Sequence, residues 1–272
     1  MAAVQQGATH LWANTILFAS HPLQTSSSAA ITARESQINV VGQPPSIVEN
    51  LDDKAYLNGK LKELGSFTLP RSWLMQKSPE TDTSIDTVLQ GLGLPADAFP
   101  IVGKPVRGRG SHGVQLCLNY SQLKNHLASL LQESPLVMLE EYLAGEEATL
   151  TVMPPSTEYP EYWCLPPVRR FNHVDGVAPY NGTVAVTANS AVVELDDRNP
   201  EHEPYRAIMK EGEQVAQLIQ TTAPIRIDVR RFREGGPFAL FDINMKPVCL
   251  DLSYLLVGDY STVHILCRVA DE

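Results

Sequence analysis

Two carboxylates and an amide lie in two neighbouring apolar segments late in the chain. Ile225–Arg230 and Phe238–Asn244 alternate as strands do, and Arg233–Pro237 between them holds the glycines and proline of a reversal. The resulting hairpin places Asp228 roughly opposite Asp242, about 5 Å away. At an effective dielectric near 20 their repulsion is about 3 kcal/mol. We therefore expect a positive group in the space between them.

The ligand types in this hairpin suit a hard cation. Asp242 and Asn244 share one strand face, because alternate residues of a strand point the same way. Two carboxylates and an amide oxygen are ligands for Mg²⁺, which water and substrate phosphates would complete. In the alternative interpretation, Asp228 and Asp242 are separately solvated on an outer face and balanced by Arg226 and Arg230. The residues alone leave both interpretations open.

Composition narrows the class of protein. The chain has 272 residues, of which 43% are hydrophobic and 19% charged, enough for a sizeable core and two subdomains. A net charge of -10 argues against nucleic acid as the main ligand. Four widely spaced cysteines and an opening segment without a basic start or a long apolar run predict reduced thiols, no membrane span and a cytoplasmic location.

Three helices are predicted to support the hairpin. The first covers Lys54–Leu64, with Leu57, Leu61 and Leu64 on one face and Gly65 as the stop. Ser121 is expected to cap the second, and Pro204 opens the third. Lys77 to Asp97 is expected to be a polar stretch without a clear helix or strand pattern. Strands are expected at Thr15–Ala19, Ile38–Val41, Pro100–Pro105, Val114–Leu118, Leu136–Glu140, Glu147–Met153, Tyr162–Val168 and Thr183–Thr187.

Glycines fill the loop between two of these strands. Gly108–Gly113 satisfies G-x-G-x-x-G, but a dinucleotide turn needs a helix directly after the glycines, and here a strand follows. A glycine flap between antiparallel strands can instead fold its N–H groups over a triphosphate, with Ser111 adding a hydroxyl and Lys104 a fixed ammonium. The alternatives are an ordinary hairpin loop and a surface lysine.

Another acidic segment ends a predicted strand. In Glu140–Leu143, backbone groups could meet an adenine edge and the acids could reach an amine or a ribose. The alternative is a solvated strand end.

Taken in order, these motifs resemble the ATP-grasp fold, and most closely its D-alanine–D-alanine ligase-like branch, from about Asp52 to Pro247. The resemblance implies an α+β fold in which two subdomains clasp ATP, after a short or truncated N-terminal region. The segments that carry it are Asp53-Lys54 with Leu69-Pro70, Ile101–Pro105, Gly110–Val114, Val137–Thr149, Arg226–Asp228 and Asp242–Asn244.

The resemblance also implies roles for individual residues. ATP would be bound by Lys54, Lys104, Gly110, Ser111, Gly113, Glu140, Leu143 and Glu147. Lys104 would lie nearest the phosphates, Glu140 and the backbone of Leu143 would hold adenine, and Glu147 the ribose. Mg²⁺ would be bound by Asp228, Asp242 and Asn244. Arg226 would bind the substrate carboxylate or its acyl phosphate, unless it is only a salt-bridge partner of Asp228. His173 is a possible substrate-side group.

The expected division of the chain follows the same resemblance. Residues 1–51 would be a remnant of the N-terminal domain, 52–98 a helix and linker, 99–154 the small subdomain, 155–247 the large subdomain and 248–272 an atypical tail. Only some 50 residues precede Asp52, Asp242 stands where the family usually has glutamate, and the tail lacks the usual glycine turn and helix.

Three functions compete at this stage. The first is an ATP- and Mg²⁺-dependent ligase that activates a carboxylate as an acyl phosphate for attack by an amine, with both substrates small molecules. The second is an ATP-grasp protein that binds Mg-ATP with little turnover, because part of its substrate domain is missing. The third, an NAD-linked oxidoreductase, lacks the helix that its glycine motif needs.

Overall fold

A computed structural model describes residues 10–12, 39–41, 43, 48, 50–76, 85–95, 97–108, 112–173, 176 and 189–245. Within these ranges the chain forms two antiparallel sheets, each covered by helices, and a short parallel pair. The expected α+β class is confirmed. No helix in these ranges is both long and apolar enough to cross a membrane.

The smaller sheet has four strands in the order β3-β6-β4-β5. They are β3 (Ser72–Gln76), β4 (Ile101–Pro105), β5 (Gln115–Cys117) and β6 (Leu136–Glu141). Helix α2 (Ile85–Gly91) and helix α3 (Tyr120–Glu133) cover one face of this sheet. The core between them includes Ile101, Leu123, Leu127 and Leu139, which are fully buried.

The larger sheet has six strands, five of them in the order β10-β9-β7-β11-β12, with β8 pairing β7. They are β7 (Glu147–Met153), β8 (Trp163–Cys164), β9 (Val168–Arg170), β10 (Ser190–Val192), β11 (Ile225–Arg231) and β12 (Phe238–Asn244). Helix α1 (Lys54–Leu64) and helix α4 (Glu203–Leu218), which follows a 3-10 turn at Pro200–His202, share its core. Alternation places Ile225, Ile227 and Val229 in that core, fully buried.

The chain crosses from the smaller to the larger sheet at residues 142–146. Strand β6 pairs with β4, whereas β7 pairs with β11. Gly145 lies at the crossing, where an added Cβ would be 2.7 Å from Arg231 Cβ and from Arg233 O. The expected division after residue 154 puts β7 with the smaller subdomain, but the sheet pairing puts it with the larger one.

Two N-terminal strands pair in parallel, β1 (His10–Trp12) with β2 (Asn39–Val41). The second matches the expected strand at Ile38–Val41. The expected strands at Thr15–Ala19 and Thr183–Thr187 lie outside the described residues, and so does the tail 248–272.

Most of the wrong local predictions concern which face of a helix or strand is buried. Leu64, at the end of α1, is 53% exposed. Leu118 is 61% exposed, and Cys117 is instead the residue of β5 that faces the core. Asn119, and not Ser121, caps α3 by accepting the Gln122 N–H. Strand β3 and helix α2 were missed; α2 lies in the polar stretch that was expected to lack a clear helix or strand pattern.

The ends of α1 follow from its sequence. Asp53 accepts the Tyr56 N–H at the N-terminus, and Gly65 ends the helix in the left-handed region at φ 66°. Leu57 and Leu61 are 2% and 0% exposed. This packing fixes the helix against the larger sheet and therefore fixes Lys54, its first residue.

Substitution of Leu61 by alanine should lower the free energy of unfolding by about 2 to 5 kcal/mol, because it leaves a cavity in the core of the larger sheet. The same truncation at the exposed Leu64 should change it by less than about 0.5 kcal/mol. Chemical denaturation of the two variants measures both values, and equal losses would contradict the assigned helix face.

Candidate functional site

A polar face lies on the larger sheet, on the side opposite its core. It consists of Glu147, Thr149 and Thr151 on β7, Arg226, Asp228 and Arg230 on β11, and Asp242 and Asn244 on β12. The register aligns Arg230 with Glu147, Asp228 with Thr149 and Asp242, and Arg226 with Thr151 and Asn244. The predicted opposition of Asp228 and Asp242 is confirmed. We call these eight residues the polar face.

A β-bulge sets this alignment. Val229 pairs with Leu240, but Asp228 pairs with Asp242, so Phe241 is an extra residue on β12. Leu240 and Ile243 both join the core, although uninterrupted alternation would place them on opposite faces. The bulge therefore returns Asp242 and Asn244 to the polar face after the apolar start of the strand.

Protein cations accompany both carboxylates of the hairpin. Lys54 Nζ lies 3.2 Å from Asp242 Oδ1, and Arg226 Nη2 lies 3.2 Å from Asp228 Oδ2. Asp228 Oδ1 also accepts a hydrogen bond of 2.8 Å from Thr149 Oγ1. Positive charge was expected beside these acids, and helix α1 and strand β11 supply it.

The pKa values of the two carboxyl groups are shifted in opposite directions. Burial raises the pKa of Asp228 above its usual value, and Arg226 only partly offsets this. Burial also opposes ionisation of Asp242, but Lys54, Lys104 and Arg226 together outweigh it and lower the pKa of Asp242. Of these two acids, Asp242 is therefore the one that its neighbours keep ionised.

Lys104 joins the two sheets. Its ammonium donates 2.7 Å to Glu140 Oε1 on β6 and 3.1 Å to the carbonyl of Phe241, the bulge residue of β12. Lys104 and Glu140 are 4% and 3% exposed, so neither the surface lysine nor the solvated strand end considered above describes them. Burial raises the pKa of Glu140, and the attraction of Lys104 opposes that rise.

Two buried polar atoms of this region have neither a hydrogen-bond partner among the described residues nor a charged group paired with them. They are Glu140 Oε2 and Asn244 Nδ2. A buried polar atom without a partner costs about 1 to 3 kcal/mol, so both atoms fit a site that a polar ligand completes. Because the oxygen and nitrogen of an amide are assigned from contacts, Asn244 can present either atom to that ligand.

The donor set fits Mg²⁺ only with help from a ligand. Within the described ranges, no three His, Cys, Asp or Glu side chains are grouped to hold a metal ion. Asp228, Asp242 and Asn244 supply two carboxylates and an amide on adjacent strands. Mg²⁺ usually takes one or two carboxylates and completes its shell with water and phosphate oxygens.

Glu147 has its own partners at the other end of the polar face. His173 Nε2 lies 2.8 Å from its Oε2, and Arg230 Nη1 lies 3.6 Å from the same oxygen. The sequence indicated His173 as one possible substrate-side group; its contact in the structure is with Glu147, the residue predicted to bind ribose. The sequence had placed Arg230 only as a charge balancing the acids.

The remaining predicted site residues lie around this cluster or outside the described ranges. Leu143 is 4% exposed and belongs to the crossing at 142–146. Gly113 has φ 69°, and an added Cβ would be 2.9 Å from Leu130 Cδ1, so this position favours glycine. Gly110 and Ser111 lie outside the described residues. Thr149 was missed, although its alternation with Glu147 would have placed it on the polar face.

Replacing Lys104 with methionine should destabilise the fold by about 3 to 5 kcal/mol near neutral pH, because it leaves the Glu140 carboxylate buried without its cation. The loss should shrink as the pH falls, since the pKa of Glu140 rises further and a proton removes the buried charge. The double variant Lys104→Met, Glu140→Gln should recover part of the lost stability, because the glutamine carries no charge. Arg198→Ala, which breaks a pair exposed at 93% and 54%, is the control and should cost under about 1 kcal/mol. Additive losses at Lys104 and Glu140 would contradict the pairing.

The sequence of this chain matches a known protein family. The family described as the D-ala D-ala ligase C-terminus matches residues 74–257. A curated D-alanine–D-alanine ligase from Gloeobacter violaceus is 26% identical over 155 residues, which are 57% of this chain and 47% of that protein.

Solved structures agree on the fold. The D-alanine–D-alanine ligase of Bacillus anthracis, in complex with ATP, matches with a TM-score of 0.58 at 19% identity, over 82% of this chain and 63% of that one. The D-alanyl-alanine synthetase A of Vibrio cholerae matches with a TM-score of 0.61 at 17% identity, over 80% and 62%.

The chain thus spans about half the length of its curated relative and under two thirds of these two structures. The family match covers most of its residues, including the smaller sheet from Leu74 onward and all of the larger sheet. The chain belongs to the D-alanine–D-alanine ligase C-terminal family and has the ATP-grasp fold.

Proposed function

We propose that this protein is an ATP- and Mg²⁺-dependent ligase that joins a small-molecule carboxylate to an amine. The observation that carries the proposal is the hairpin register, which sets Asp228 opposite Asp242 and Arg226 opposite Asn244. Two lysines from other elements lower the pKa of Asp242: Lys54, which begins α1, and Lys104, which lies on β4.

The nucleotide is proposed to lie between the two sheets. Glu140 Oε2, which is buried without a partner among the described residues, would accept from the adenine amino group beside the Leu143 backbone. Glu147 would hold the ribose. Lys104 and Lys54 would face the phosphates, and the flap of Gly110, Ser111 and Gly113 would cover them with N–H groups.

Mg²⁺ would be held by Asp228, Asp242 and Asn244 and would neutralise charge on the phosphate oxygens. The protein groups around it would also have to rearrange. Lys54 now faces Asp242, so it would turn toward the phosphates when the nucleotide binds. An ammonium shared between an acid and a phosphate preserves charge balance in both states.

The reaction needs no side-chain nucleophile. The substrate carboxylate would take the γ-phosphoryl group of ATP, giving ADP and an acyl phosphate. The amine would then attack the acyl carbon, lose a proton and displace inorganic phosphate, forming an amide. Arg226, on the polar face beside Asp228, would bind the carboxylate and its acyl phosphate, so that orientation and electrostatics supply the rate.

Release of phosphate from ATP, screened against carboxylic acids and amino acids in the presence of Mg²⁺, tests this function. Asp242→Ala should reduce turnover by at least about a hundredfold, because it removes the acid of the proposed metal site that its neighbours keep ionised. Asp86→Ala is the matched control, since it removes an exposed carboxylate that pairs with Lys124 away from this site.

Circular dichroism should show both variants folded. Full activity of Asp242→Ala would show that Asp242 is not a ligand of the proposed metal site. ATP binding without phosphate release across the panel would favour the second function, a Mg-ATP-binding protein with little turnover.

A further inference from the structure

Arg230 is a buried arginine whose guanidinium makes several directed contacts at the edge of the polar face. It is 9% exposed, and its guanidinium donates to three oxygens. These are Gly145 O at 3.1 Å from Nε, Gly176 O at 2.7 Å from Nη1 and Tyr142 Oη at 3.0 Å from Nη2. A buried charge with this many partners is held in one orientation.

Two of these contacts hold the crossing between the sheets. Tyr142 and Gly145 flank Leu143, whose backbone is the proposed adenine contact. The guanidinium carbon of Arg230 also lies 4.9 Å from the centre of the Tyr142 ring, so the aromatic ring and the hydroxyl both contact the same cation. Arg230 therefore connects strand β11 to the segment that would meet the base.

The third contact brings in a distant part of the chain. Gly176 has φ 79°, and an added Cβ there would be 2.8 Å from Leu116 Cδ2 and 3.0 Å from Tyr142 Oη. Only glycine fits this conformation at this distance. Its carbonyl reaches Arg230 because the backbone at Gly176 comes this close to Tyr142.

The same guanidinium faces Glu147. Arg230 is the cross-strand partner of Glu147, and its Nη1 lies 3.6 Å from Oε2, the oxygen that His173 contacts at 2.8 Å. Both contacts fall on Oε2, and neither uses Oε1. The Glu147 side chain is 8% exposed, so these neighbours restrict its orientation.

We propose that Arg230 is a positioning residue for the ribose subsite. It holds the Glu147 carboxylate and the 142–146 crossing in one arrangement, and so sets how strongly the protein prefers a nucleotide with a ribose diol over one without it. This rests on the proposed function, in which Glu147 binds ribose. Arginine suits the role because its planar fork can serve three acceptors and a carboxylate at once, whereas a lysine ammonium cannot.

The test compares the dissociation constants of ATP and 2′,3′-dideoxy-ATP, measured with Mg²⁺ by calorimetry on the full chain. The wild type should prefer ATP by about tenfold or more, as expected for hydrogen bonds from the diol to a carboxylate. Glu147→Gln should lose most of that preference. Arg230→Met should lose a similar share, and Arg230→Lys should not restore it, because lysine keeps the charge but not the fork.

Arg231→Met is the matched control. Arg231 is the next residue of β11 and is 7% exposed. It contacts the Phe238 ring, the Gly236 carbonyl and, at 3.5 Å, Glu146 of the crossing, none of which is a proposed contact of the ribose. This variant should lower the melting temperature but keep the preference for ATP. Tyr142→Phe removes one acceptor of Arg230 with little change in packing and should give a smaller loss of preference than Arg230→Met; it also covers the case in which Arg230→Met fails to fold.

The outcomes separate the inference from the proposed function. If the wild type prefers ATP and Glu147→Gln loses the preference while Arg230→Lys and Tyr142→Phe retain it, the positioning role is overturned and the ligase proposal stands. A wild type that binds both nucleotides equally also overturns the role. If the wild type binds neither, the proposed function fails and the inference fails with it.

Discussion

The arrangement of this protein depends on opposite charges packed where two sheets meet. Lys104 on the smaller sheet reaches Glu140 beside it and the Phe241 carbonyl on the larger sheet, with both charged groups nearly inaccessible to solvent. A buried ion pair contributes little net stability, because desolvation offsets the attraction. It does penalise arrangements that separate the partners, since each would then be a lone buried charge. The pair therefore specifies how β4, β6 and β12 come together.

The same constraint shapes the polar face. Asp228 and Asp242 would repel each other, and each has a cation within 3.2 Å. Lys54 and Lys104 come from elements outside the larger sheet, and Arg226 comes from the hairpin itself. The ligand proposed above, a nucleotide with Mg²⁺, would bring both signs of charge, so it would exchange with these partners without leaving an acid or an ammonium uncompensated. A site of this kind is balanced without its ligand and can be balanced differently with it.

Much of this could be predicted because the hairpin is local. The glycine turn between two alternating strands places Asp228 opposite Asp242, and the order of the motifs resembles the ATP-grasp fold that the comparisons show. Burial was harder to predict. Leu64 and Leu118 fit the apolar patterns but are exposed, because a short element packs only the residues that its neighbour covers. Helix α2 was missed, and so was β3, which takes its partner from β6, some 60 residues further along the chain.

The sequence by itself determined which chemistry is available: two carboxylates and an amide at strand spacing, lysines near a glycine loop, and acids after a buried strand. Local rules suffice for this, because alternation and turn propensity act over a few residues. Tertiary structure decided which groups meet. The bulge at Phe241 sets the face of Asp242, α1 brings Lys54 to it, and Arg230 joins Tyr142, Gly145 and Gly176. The residues in these contacts are separated by 54 to 188 positions in the sequence. The contacts therefore exist only once both sheets have formed and packed.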